Sequence, residues 1–282
     1  MVIENALTKR RPVGFGALAL ASLLSFAACA DSAESDDVDA VEADARAEAD
    51  EQTGAPDELA AVAVAAADPG ANHPNNVATL GDSWMSNTLF TGNAITGALA
   101  RQGHRYQNYA VQGVMLLKDN IFGRSILNQG QRVINTNNSN KANPRFKTIV
   151  ITGGGNDIIE NPSLQRDCGK RPIGDVCEKK LTEIEGAMVG LWERLGASGV
   201  KDIVYVAYSP AAGSAPAAAE ASRDRLKVDC AEATAVKCHF VDTTDIVSKS
   251  DLILDGIHPN QRTNNEIAQE VYRVLTEAQA YR

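Results

Sequence analysis

Val77-Ala78-Thr79-Leu80-Gly81-Asp82-Ser83-Trp84 is a short apolar run that stops abruptly at Gly-Asp-Ser. An apolar run of this length, bounded by a turn signal, reads as a buried strand, and the small polar residues after it read as a strand-to-helix corner. A serine at such a corner is lifted clear of the sheet, with its hydroxyl free to attack a substrate. The same serine could instead do no more than cap the following helix. The choice depends on whether the rest of the chain brings a base and oxyanion donors to the same place.

Strand and helix signals alternate beyond this corner. Residues 87–102 carry Leu89, Ile95, Ala98 and Leu99 at helical spacing and stop at Gly103. Residues 106–111 read as a second short strand leading to Gly113, residues 126–134 as a helix, and residues 136–143 as a polar loop. Residues 147–152 are a strong strand signal, followed directly by Gly153-Gly154-Gly155-Asn156-Asp157. Residues 161–176 read as an irregular insertion. Then come a helix over 179–195, a strand over 202–208, a helix over 217–235 and a strand over 238–241. Asp255-Gly256-Ile257-His258-Pro259 reads as a loop, and Thr263-x-x-Glu266 as a capping box opening a last helix over 264–279. This alternation implies right-handed βαβ units: an α/β domain with a mostly parallel, five-stranded sheet covered on both faces. Ligands of such sheets sit outside the carboxyl ends of the strands. Ser83, Gly113 and Asn156 each follow a strand, so they converge on that edge, and the loop carrying Asp255 and His258 can reach it.

A serine hydroxyl is a poor nucleophile without a neighbouring base. Of the four histidines, His73 lies near the N-terminal segment, His104 at a helix-to-strand turn and His239 at the start of a strand. Only His258 shares a glycine-containing loop with an aspartate. Asp255 can accept from the ring Nδ1–H, which fixes the tautomer and presents Nε2 to Ser83. Pro259 biases His258 away from helical dihedrals. Donors for an oxyanion are the Ser83 N–H, the Gly113 N–H and the Asn156 side-chain amide. Asp82 and Asp157 read as hydrogen-bonding supports for Ser83 and Asn156. Trp84 is a candidate substrate contact at the mouth of the site. Met115, Leu116 and Leu117 could line an acyl pocket, although core packing is the more economical reading. Metal-ligand spacings such as Cys-x-x-Cys or His-x-x-x-His are absent, so neither a metal nor a cofactor is expected.

The ordered blocks Gly81-Asp82-Ser83, Asn108-x-x-x-x-Gly113, Gly154-x-Asn156-Asp157 and Asp255-x-x-His258-Pro259 resemble the SGNH (GDSL-type) hydrolase family. The resemblance implies a flavodoxin-like, three-layer α/β/α fold and a serine hydrolase acting on carboxylic esters or thioesters. It implies Ser83 as nucleophile, Asp255 and His258 as its partners, and Ser83, Gly113 and Asn156 as oxyanion donors. Trp84 departs from the usual Leu after Gly-Asp-Ser, Ala110 stands where Gly is common, and Thr263 stands where a Gly often follows His-Pro. The alternatives to ester hydrolysis are acyl transfer to, or deacetylation of, a glycan, and a non-catalytic envelope binding protein. The expected partner is a small-molecule, glycan or lipid ester, met by a monomer.

The chain has 282 residues, is 44% hydrophobic and carries a net charge of −9. That charge is concentrated in residues 31–58, where twelve acidic side chains face Arg46 alone, and the chain from residue 59 on balances. The domain therefore lacks the basic surface that nucleic acid requires. Residues 1–30 read as a signal peptide, with a basic leader and an apolar core over 13–26. Ala27-Ala28-Cys29-Ala30 fits either a lipobox, with Cys29 lipidated and attached to a membrane, or ordinary cleavage and release. Residues 31–73 read as a disordered acidic tether and residues 74–282 as the hydrolase domain. An exported protein of the cell envelope, or a secreted one, is expected. The remaining cysteines, Cys168, Cys177, Cys230 and Cys238, are even in number and suit two disulfides, with nearest-neighbour pairing preferred.

Overall fold

The computed structural model describes residues 76–86, 97, 99 and 106–279. The chain divides into two units, Met1–Leu59 and Ala60–Arg282, and the described residues belong to the second. The expected leader, Cys29, the acidic tether, His73, His104 and most of the helix read over 87–102 lie outside the described residues.

Five strands form one parallel sheet: β1 (Val77–Leu80), β2 (Tyr106–Asn108), β3 (Thr148–Ile151), β4 (Asp202–Val206) and β5 (Lys237–Val241). Their order is β2-β1-β3-β4-β5, with Val77 level with Tyr106 on one side and Thr148 on the other. The helices are α1 (Ile126–Asn138), α2 (Asn156–Ile159), α3 (Pro162–Cys168), α4 (Asp175–Ala197), α5 (Pro216–Glu232) and α6 (Gln261–Glu277). The strand order reverses between β1 and β3, and in a sheet of this order the crevice for a ligand opens at that switch point. Ser83 follows β1 and Asn156 follows β3, so both stand at the crevice.

Side chains alternate across the strands with period two, and each set meets its own helical layer. Ala78, Leu80, Ile149, Ile151, Ile203 and Tyr205 pack with Leu181, Ile184, Met188 and Trp192 of α4 and Leu226 of α5. Val77, Val150, Val204 and Val206 pack on the opposite face with Ile267, Val271 and Leu275 of α6. The result is three layers, as the sequence implies.

Boundaries differ where a side chain replaces a backbone partner. Helix α1 runs to Asn138, beyond its expected end, because the buried Asn137 amide bonds both the N–H and the C=O of Phe146, each at 2.9 Å. The insertion read as irregular contains α3, which Asn161 caps by accepting from Ser163 N–H and Leu164 N–H, with Pro162 in the first turn. The last helix starts at Gln261, and its cap is Asn260, which accepts from the Thr263 N–H at 3.0 Å. The capping box expected at Thr263 and Glu266 is therefore not used; the Thr263 hydroxyl turns inward and donates to Asn260 Oδ1 instead.

Disulfides join Cys168 to Cys177 and Cys230 to Cys238, the nearest-neighbour pairs. Closing loops this short removes unfolded-chain entropy worth about 2–3 kcal/mol each.

One polar contact holds the end of β1. The buried Gln129 of α1 accepts from Gly81 N–H at 2.7 Å and donates to Gly81 C=O at 2.9 Å. Gly81 has φ +142°, and a Cβ there would stand 2.9 Å from both the Met85 and Thr152 side chains. Gln129→Met, which keeps the volume, strands the Gly81 N–H at about 1–3 kcal/mol, while the Gly81 C=O keeps its bond from Val111 N–H at 3.0 Å. The urea midpoint of unfolding should fall accordingly, and an unchanged midpoint would show that the contact carries no stability.

Candidate active site

The corner after β1 is built by Asp82. Its carbonyl accepts from Met85 N–H and Ser86 N–H at 3.1 and 2.9 Å, and its carboxylate accepts from Trp84 N–H at 3.1 Å. Ser83 is left at the apex, mostly shielded but with its hydroxyl directed to His258. The second Asp82 oxygen accepts from the Tyr208 hydroxyl at 2.5 Å. Burial pushes the Asp82 carboxyl upward, and these two hydrogen bonds pull it back part of the way.

His258 comes from the loop before α6. Its Nε2 lies 2.7 Å from Ser83 Oγ and its Nδ1 lies 2.6 Å from Asp255 Oδ2. An ionised carboxylate only accepts, so Nδ1 carries the proton and Nε2 is left to accept from the serine. The other Asp255 oxygen accepts from the N–H groups of Ile257 and His258 at 2.9 and 3.0 Å. Gly256, at φ +67°, allows this tight return. Burial raises the Asp255 carboxyl, but the hydrogen bonds from His258 and Ile257 outweigh it and hold the group below its ordinary value. The loop is pinned by Ile253 N–H to His258 C=O and by Gly213 N–H to Gly256 C=O. His239, by contrast, meets Asp202 at the start of β4, at the opposite edge of the sheet.

Asn156 opens α2, after a glycine run that lets the chain turn closely under its neighbours. A Cβ on Gly154, at φ +98°, would stand 2.6 Å from Ile184. One Asn156 amide N–H donates to Val114 C=O at 2.9 Å, and the second takes no partner among the described residues. Gly113 is the residue before Val114, at φ +69°, so the loop after β2 is drawn against Asn156. Asp157 secures the same loop by accepting from Leu116 N–H and Leu117 N–H at 2.7 and 2.9 Å.

A cavity enclosing about 730 Å³, part of it open to solvent, begins at Ser83 and Asn156. Its walls are mainly apolar: Ile158, Ile159, Tyr208 and the alanines at the start of α5. Trp84 also lines it, buried and edge-on to Tyr208 with ring centroids 5.1 Å apart. Leu116 sits instead in the core, with Leu117 packed against it, and neither lines this cavity, nor does Met115. The apolar wall therefore comes in part from Ile158 and Ile159 of α2, and much of it from the segment after β4, which the sequence reading passed over. Its run of small residues around Pro216, just beyond a strand's carboxyl end, was the available signal. Tyr208 was also missed. Besides bonding Asp82, its ring lies against Gly155, where a Cβ would stand 3.2 Å away. It thus touches the serine turn and the asparagine turn at once.

Comparison with known proteins is consistent with this geometry. The GDSL-like Lipase/Acylhydrolase family matches residues 65–271. No curated protein sequence matches the chain. Among solved structures, the lipase Lip_vut3 from a goat rumen metagenome is 15% identical, with 70% of this chain and 96% of that one aligned at a TM-score of 0.50. The psychrotrophic esterase EstA from Pseudoalteromonas sp. is 15% identical over 73% of this chain and 98% of its own, at a TM-score of 0.49. An acetylxylan esterase, Axe2 from Geobacillus stearothermophilus, is 16% identical over 71% of this chain and 93% of its own, at 0.46. At such identities the likeness concerns the fold alone. The family match, spanning most of the chain and all four sequence blocks, establishes that this protein belongs to the GDSL-like lipase/acylhydrolases, serine hydrolases of ester bonds.

Proposed function

We propose that the protein cleaves carboxylic esters through an acyl-enzyme on Ser83, and that the acyl group is a linear chain seated in the cavity beside it. The observation that carries the first part is the unbroken relay from Asp255 through His258 to Ser83, at 2.6 and 2.7 Å. As Ser83 Oγ bonds to the ester carbon, His258 Nε2 takes its proton and Asp255 holds the resulting imidazolium. The carbonyl electrons move to oxygen, which the Ser83 and Gly113 N–H groups and the second Asn156 N–H receive. Collapse expels the alcohol, which takes the proton from Nε2. Water then repeats the sequence, releasing the acid and free Ser83.

The acyl assignment rests on the shape of the wall. Ala215, Ala218, Ala219, Ser222 and Arg223 recur at helical spacing along one face of α5, an axial run of about 12 Å. Arg223 at the far end is occupied by Asp224 and Thr244, so it offers no free charge to a polar acyl terminus. Such a trough suits a methylene chain better than an acetyl group on a sugar. The paired disulfides also support maturation in an oxidising, extracytoplasmic compartment.

Ser83→Ala should abolish hydrolysis of p-nitrophenyl esters and labelling by a fluorophosphonate, with the circular dichroism of the fold retained. Full activity in that variant would overturn the assignment. Asn156→Ala should lower kcat by about 100- to 1000-fold with little change in KM, as expected for a donor to the oxyanion. For the acyl trough, Ala219→Phe should depress kcat/KM for p-nitrophenyl octanoate at least tenfold relative to p-nitrophenyl acetate. Equal loss on both esters would place the acyl chain elsewhere.

A further inference from the structure

Among the described residues, the largest exposed apolar side chains sort into two groups. Val176 and Val228 stand singly on α4 and α5, which is ordinary for a protein surface. Ile121, Phe122 and Leu254 lie in two loops at the edge that carries the site. Ile121 is 94% and Phe122 74% exposed, and Leu254 is exposed to the full extent of a free residue. The first two tip a turn in the loop between Gly113 and α1. The base of that loop is tied beside Asn156 by the Asp157 carboxylate and by Ile126 N–H to Met115 C=O. Leu254 directly precedes Asp255, on the turn that holds His258. The apolar tips therefore flank Ser83 from the oxyanion loop on one side and the histidine loop on the other.

We infer that this edge docks on a lipid–water interface, with Ile121, Phe122 and Leu254 entering the acyl layer and the cleft facing it. The turn bearing Ile121 and Phe122 is built for such an environment. Asn120 Oδ1 accepts from Phe122 N–H and Arg124 N–H, both at 3.0 Å, and Asn120 C=O accepts from Gly123 N–H. Asn120 N–H returns to Arg124 C=O, and Asn128 donates to Gly123 C=O. Backbone groups satisfied within the turn need not be stripped of water when the tip leaves it. Lys118 and Arg124 flank the tip, both exposed, where ammonium and guanidinium groups can stay among phosphate headgroups. Asp119, the acidic residue of the loop, is held by Asn128 at 2.9 Å. The tips are aliphatic or phenyl, which suits acyl chains. The docking also serves the acyl-chain reading of the cavity above, on which its catalytic consequence, though not the binding itself, depends.

The test uses fluorescence from the full chain. Its two native tryptophans, Trp84 and Trp192, emit as well, so the emission of the unsubstituted chain under the same conditions is subtracted and the difference reports the added tryptophan. Phe122→Trp should shift to the blue and be quenched at least twofold by phosphatidylglycerol–phosphatidylcholine vesicles with brominated acyl chains, while Val228→Trp on α5 should not respond. Equal quenching at both positions, or none at Phe122→Trp, overturns the proposal. The triple variant I121S/F122S/L254S should lose at least tenfold in kcat/KM on an ester embedded in vesicles and stay within twofold on soluble p-nitrophenyl acetate. Equal rates on the embedded ester overturn it, as does a change of oligomeric state in the triple variant or its loss of binding to an insoluble polysaccharide, each of which gives the patch another occupant. If no ester is hydrolysed by any form, the reading of the catalytic site fails while the quenching result still decides the docking.

Discussion

The site depends on how the end of β1 is held. A parallel strand at a switch point ends beside a neighbour that leaves in another direction; here the Gly81 C=O still takes Val111 N–H at 3.0 Å, but among the described residues the backbone offers the Gly81 N–H no acceptor. Gln129 of α1 supplies the missing acceptor to the Gly81 N–H and adds a second donor to its C=O. That amide stands in for a strand, and it does so one residue before Asp82. Everything downstream inherits its position: the Asp82 turn, the Ser83 apex and the angle at which the hydroxyl meets His258. The constraint is tight because Gly81 also packs against Thr152, at the end of β3. Two strands and a helix are thus locked together immediately behind Ser83, the proposed nucleophile.

A second tie lies above the first. Asp82 is buried, and its carboxylate is kept supplied with donors by Trp84 N–H and Tyr208. Tyr208 in turn lies on Gly155, the residue before Asn156. The spacing between Ser83 and Asn156, the proposed oxyanion donor, is therefore set by one rigid ring, without reliance on loop flexibility. A buried aromatic with a single polar tip suits this role, because packing fixes its plane and the hydroxyl fixes its end.

Much of this was legible in the sequence because it is local. Asp255-x-x-His258 closes within four residues, and Gly-Asp-Ser and Gly-x-Asn-Asp each follow a strand directly, so adjacency along the chain predicts adjacency in space. The disulfide pairs were legible for the same reason. What escaped is long-range. Tyr208 meets Asp82 across 126 residues, and no pattern near either one announces the other. The trough escaped because alanines read as neutral until a neighbouring element leaves space beside them. Two misreadings had signals in plain view: Asn161-Pro162 is an N-cap followed by a first-turn proline. At α6 the capping box read at Thr263 gives way to an Asn260 cap, because the buried threonine turns inward. Membership of the GDSL-like lipase/acylhydrolases explains the four blocks, while the trough and the apolar tips belong to the parts of the chain between them.

The alanine wall of α5 has a further consequence. Side chains that end at Cβ have no torsions to turn, so the surface they present is set by the helix backbone. A trough lined by leucine or methionine could reshape itself around a poorly fitting guest. This one behaves as a mould, and disulfide bonding of α5 to β5 through Cys230 and Cys238 stiffens it from behind. On the acyl-chain reading proposed above, discrimination among chains would take the form of a sharp limit at one length, with little of the gradual decline that an adaptable pocket gives. Moving that limit needs only one added side chain, and each turn of the helix offers a rung about 5.4 Å from the last.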